Sequence, residues 1–113
     1  MHLSVSHSST HLAVVFASVP VGVDVEAKDC DRPAVAARFF TKQEKIEPFS
    51  HIWTAREAVG KLTGGGLSHA LGCHIIQSEG YWQKKRYALI RFDQDDQVVT
   101  IALPASLSAS DVP

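Results

Sequence analysis

Apolar positions recur at steps of two near both ends of the chain and at steps of three and four in its middle, so strands are expected to flank a helical centre. Residues 1–8 mix Leu3 and Val5 with serines and read as a short strand turning at Ser6-His7-Ser8. Residues 12–17 form an unbroken apolar run with β-branched members, the pattern of a strand covered on both faces. Residues 20–26 follow a turn and alternate strictly: Val21, Val23 and Val25 share one face, Gly22, Asp24 and Glu26 the other. Connections this short predict an antiparallel meander. Beyond Glu26, Asp31 is expected to cap a helix with Pro33 in its first turn, ending at Phe39-Phe40. Thr41 and Glu44 have capping-box spacing and open a second helical segment that Pro48 interrupts. From Phe49, the residues Ile52, Trp53, Val59 and Leu62 keep the amphipathic period until Gly64-Gly65-Gly66 stops it. Strands are expected again at 73–77, 86–92 and 98–103, with a turn at 94–96. The fold class is therefore α+β, an antiparallel sheet with one long helix packed across it. Residues 1–104 form a single domain and 105–113 a polar tail.

Composition narrows the function without choosing it. A chain of 113 residues, 45% hydrophobic and with a net charge of -1, builds a real core but leaves little room for a deep cleft of its own. Sites at a subunit boundary are thus expected, and nucleic acid is not an expected partner. Cys30 and Cys73 stand alone, in no metal-like spacing, which points to a reducing, cytoplasmic setting. The apolar run at 12–17 is too short to span a bilayer, and residues 1–10 lack a basic start, so neither membrane insertion nor export is expected.

The chemistry gathers around the acidic strand and the long helix. Trp53, Glu57 and Lys61 lie along one helical stripe with Arg56 at its edge, so Glu57 offers a third carboxylate to Asp24 and Glu26. Taken alone, Glu57-Lys61 also fits an exposed helix pair contributing about 0.3–0.5 kcal/mol, and Asp24 with Glu26 a solvated strand face. Three oxygen donors from two elements suit Mg²⁺, which completes its shell with water and substrate phosphate. Lysine and arginine beside them would hold the phosphate charge that remains. Lys84-Lys85-Arg86 reads as a solvated hairpin end, with contact to a ligand or partner as the other reading. Gly60-Lys61 lacks the serine or threonine of a phosphate loop and reads as a helix end. His69, Cys73 and His74 lack a fourth partner for zinc.

Three ordered motifs go further. Gly22-Val23-Asp24-Val25-Glu26, then Arg38-Phe39-Phe40-Thr41 with Glu44, then Trp53-Thr54-Ala55-Arg56-Glu57-Ala58-Val59-Gly60-Lys61, resemble those of the 4′-phosphopantetheinyl transferase superfamily. Val5-Ser6-His7-Ser8 and Gly64-Gly65-Gly66-Leu67 resemble its surfactin-synthetase-activator type more than its holo-acyl-carrier-protein-synthase type. The resemblance implies transfer of phosphopantetheine from coenzyme A to a serine of an acyl or peptidyl carrier protein, releasing 3′,5′-ADP. By match, Asp24, Glu26 and Glu57 hold Mg²⁺, Lys61 and Arg56 contact phosphate, and His7 binds the 3′-phosphate. Glu57 and Lys61 are the catalytic candidates, with the identity of the general base left open. A basic patch of Arg38, Lys42 and Lys45 is the expected dock for an acidic carrier. Surfactin-type chains consist of two similar halves with the coenzyme between them, and this chain resembles the second. A homo-oligomer that rebuilds the cleft is therefore expected, a dimer ahead of a trimer. The alternative is a non-catalytic, coenzyme A-binding or structural relative with an incomplete cleft.

Overall fold

The computed structural model describes residues 1–105, and the rest of the expected tail lies outside them. The elements follow the order β1 (His2–His7), β2 (Leu12–Ala17), β3 (Gly22–Ala27), α1 (Pro33–Phe39), α2 (Lys42–Lys45), α3 (Phe49–Thr63), α4 (Gly66–Gly72), β4 (His74–Ile76), β5 (Glu79–Trp82), β6 (Lys85–Gln94) and β7 (Gln97–Pro104). The molecule is α+β, with α3 laid across an antiparallel sheet of order β3-β7-β6-β5-β4.

β1 and β2 do not continue into β3 as a meander. They pair only with each other, Leu3 opposite Phe16 and Val5 opposite Val14, while β3 pairs with β7 from Gly22 opposite Ala102 to Ala27 opposite Gln97. The alternation of β1 explains the difference. Its inward positions are serines, and their hydroxyls meet the edge of β3 in place of a backbone ladder: Val23 N donates to Ser4 Oγ at 3.0 Å and Val25 N to Ser6 Oγ at 3.2 Å. A strand edge with unpaired N–H groups is thereby satisfied by side chains. The far turn of the hairpin is tied down by His11 Nε2 to Asp95 Oδ2 at 2.8 Å.

Both faces of β3 are buried along most of its length, the valine face under the hairpin and the other under α3. Val23 and Val25 pack with Val99, Ala13, Val15 and Ile101 beneath the hairpin. Gly22 and Asp24 turn to the other face, where α3 crosses. A side chain at Gly22 would run into the Ala58 carbonyl, so this glycine is what lets the helix lie against the strand. β2, expected to be covered twice, buries only one side: Ala13, Val15 and Ala17 face inward and Leu12, Val14 and Phe16 outward.

Local signals decide the helices. α1 starts with Pro33 in its first turn, but its cap is Arg32 without a side-chain bond, so Asp31 does not play that part. Thr41 and Glu44 form the expected box, with Glu44 N donating to Thr41 Oγ1 and Thr41 N to Glu44 Oε1. α3 ends at Gly64, whose φ of 83° is left-handed and natural to glycine. Two elements escaped sequence reasoning: α4, which starts among glycines without a capping side chain, and β5, a four-residue strand. No helix among the described residues is long and apolar enough to cross a membrane.

Candidate active site

Asp24 leaves β3 on the side of α3 and is only 5% exposed. Its Oδ1 accepts from Ser6 Oγ at 3.0 Å and faces Lys61 Nζ at 3.4 Å, while its Oδ2 is buried without a partner among the described residues. Lys61 Nζ also donates to Val5 O at 3.3 Å, so one ammonium joins α3 to both β1 and β3. Glu26 follows two residues along the strand and Glu57 one turn before Lys61 on the helix, both half-buried.

The charges of this group are unbalanced. Burial, then the neighbouring Glu26, pushes the Asp24 carboxyl up to about 7, with Glu57 adding to the rise and Lys61 and Ser6 only partly opposing it. Glu26 is raised by burial and by Glu57, and Glu57 by burial. An oxygen set that repels its own charges and keeps one buried oxygen unpartnered has the donor chemistry of a cation site. As placed, no three His, Cys, Asp or Glu side chains among the described residues converge closely enough to enclose an ion.

Arg56 does not join these acids. It neighbours Glu57 in sequence but projects from another side of α3, where its side chain is 1% exposed against a fully buried Glu44. Nη2 donates to Glu44 Oε1 at 2.6 Å and Phe39 O at 2.9 Å, Nε to Glu44 Oε2 at 3.1 Å, and Nη1 to Ala70 O and Leu71 O at 3.1 and 3.0 Å. All five guanidinium hydrogens are thus engaged, and none is free for a phosphate. Glu44 Oε2 further accepts from Ile75 N at 2.8 Å, so the pair clamps α2, α3, α4 and β4 together. The phosphate role expected of Arg56 is replaced by a structural one.

His7 ends β1 and is exposed. Two residues that sequence reasoning gave no role act on the acids, one by contact and one through its charge. Ser6 orients Asp24, a placement foreshadowed by the serine alternation of β1. Arg32 lies 5.5 Å above the ring of Trp53 and draws the proton affinities of Glu26 and Glu57 back down. In a polar loop it carried no signal of its own. Both cysteines are free, and burial first pushes Cys30 up to about 11 and Cys73 to about 12, far from a reactive thiolate. A groove lined by Gln43, Glu47, His51, Ile52 and Arg91 includes none of the acidic group.

Comparison with known proteins decides the family. The model of the 4′-phosphopantetheinyl transferase superfamily matches residues 20–102, which include β3, α3 and all three acids. The chain belongs to this superfamily. Within it, the chain is similar to the 4′-phosphopantetheinyl transferase Sfp of Bacillus subtilis (strain 168), at 30% identity over 118 residues, covering 95% of the chain and 46% of that protein. The transferase psf-1 of Bacillus pumilus is 33% identical over 81 residues, 62% of the chain and 35% of the relative. The transferase ffp of Bacillus subtilis is 33% identical over 87 residues, 67% of the chain and 39% of the relative. The chain thus spans less than half the length of these superfamily members.

Proposed function

We propose that the chain catalyses Mg²⁺-dependent transfer of the 4′-phosphopantetheine group from coenzyme A to a serine of an acyl or peptidyl carrier protein, with release of 3′,5′-ADP. The observation that carries the reading is Asp24, a buried carboxylate with one oxygen unpartnered among the described residues, held by Ser6 and Lys61 near Glu26 and Glu57. Mg²⁺ held by Asp24, Glu26 and Glu57 would supply neutralisation of the diphosphate and stabilisation of its leaving oxygen. Lys61, anchored by Val5 O and Asp24, adds a positive charge at the phosphates. The serine oxygen forms a bond to the phosphorus of the pantetheine arm, the bond from that phosphorus to the ADP oxygen breaks with its electron pair, and the serine proton passes to a carboxylate. Glu57 and Lys61, which share one stripe of α3, are the proposed catalytic residues, and which carboxylate takes the proton is left open. His7 is assigned to the 3′-phosphate.

The exposed cations Arg38, Lys42 and Lys45 lie on α1 and α2, beyond the acidic strand, and are proposed to receive the acidic carrier. A homo-oligomer, a dimer before a trimer, is proposed to complete the coenzyme cleft. It is supported by the outer face of the β1–β2 hairpin, where Leu3, Val5, Leu12, Val14 and Phe16 are between 46% and 70% exposed on one side. With both thiols free, the cytoplasm is the proposed location. The experiment is mass spectrometry of an apo carrier protein incubated with the chain, coenzyme A and Mg²⁺. One phosphopantetheine should be gained, and Asp24→Ala should abolish the gain. The coverage of less than half of each relative favours a second reading, a non-catalytic coenzyme A-binding relative, which predicts no gain on any carrier.

A further inference from the structure

The burial of Arg56 leaves the site short of the second cation that a diphosphate calls for, and one residue stands where it could supply it. Arg32 follows the acidic strand by a short loop, and Pro33 in the first turn of α1 fixes the backbone beside it. Its guanidinium lies 5.5 Å from the centre of the Trp53 ring. Trp53 is 1% exposed and sits one turn before Glu57 on the same stripe of α3, so the indole is a fixed shelf that carries Arg32 toward the acids. Arg32 thus sits over the stripe of α3 that also bears Glu57. Yet among the described residues it enters no ion pair, and it is exposed. Stacking leaves the planar fork of N–H donors open, the geometry that receives two phosphate oxygens at once.

We infer that Arg32 binds the diphosphate of coenzyme A, as a second cation beside Lys61. The inference rests on the coenzyme A reading above and adds to it a residue outside the three matched motifs. It also accounts for how a chain that turns Arg56 inward keeps two cations at its acidic group.

The test is calorimetric titration of the full chain with coenzyme A and, separately, with ADP, in Mg²⁺ and without carrier protein. Loss of a charge-assisted, two-point contact in Arg32→Gln should weaken both ligands by about 10- to 100-fold, while circular dichroism and the melting temperature stay close to wild type. Arg32→Lys, which keeps the charge but not the fork, should fall between. Equal coenzyme A affinity in Arg32→Gln and wild type would overturn the assignment while leaving the proposed function standing. Weakened coenzyme A with unchanged ADP would also overturn it, by placing the contact at the 3′-phosphate. A wild-type chain that binds no coenzyme A would overturn the function and this contact together.

Discussion

Asp24 holds a charge that its surroundings only half neutralise, and the consequence can be read in pH. Its carboxyl titrates at 3.8 when free of the fold and at about 7 inside it, so the folded state binds this proton more tightly than the unfolded state. The stability that this contributes is fully present below about pH 3.8 and is lost as pH rises to about 7. In metal-free protein, Asp24→Asn should therefore be the more stable form at pH 8, by on the order of 3 kcal/mol, with the difference closing toward pH 4. Denaturant melts at the two pH values check it, and a less stable variant at pH 8 would contradict it. The pair of acids was legible because alternation in residues 20–26 put Asp24 and Glu26 on one side, and the helical period added Glu57 and Lys61. The rest was not legible: which way Arg56 turned, and what Arg32 rested on, depend on contacts made across the fold.

Arg56 and Lys61 are separated by five positions on α3 and do opposite work. The Glu44–Arg56 pair is buried and fully hydrogen-bonded, and it holds α2, α4 and β4 to the helix. Arg56→Ala strands the Glu44 carboxylate and should cost about 3–5 kcal/mol. Lys61, 31% exposed in a longer ion pair, should cost no more than about 1 kcal/mol when changed to alanine, yet remove transfer activity. Urea unfolding beside an activity assay separates the two, and equal destabilisation would contradict the division. The capping box at Thr41 and Glu44 was visible in sequence, but it concealed a second task. The carboxylate that closes the box also receives Arg56 and Ile75 N, and no local pattern announces a partner twelve residues away. α4 and β5 were hidden for a related reason: short elements take their form from what they pack against.

The hairpin is where the molecule departs most from its expected form. Its strands were legible, but their place outside the main sheet rests on Ser4 and Ser6 serving as bonds to the β3 edge. Its apolar outer face carries no charged residue, so two copies can meet there without like-charge repulsion. Val14→Lys should convert an oligomer to a monomer by light scattering while the fold is retained. A monomeric wild type at micromolar concentration would contradict the proposed assembly.

The proposed function requires that the acidic group of β3 and α3 perform phosphopantetheine transfer. Mass spectrometry of an apo carrier protein measures this directly, with coenzyme A, the chain and either Mg²⁺ or a chelator. One phosphopantetheine should be gained with Mg²⁺, none with chelator, and none with Asp24→Ala. No gain across several carriers, or an undiminished gain with Asp24→Ala, would contradict it.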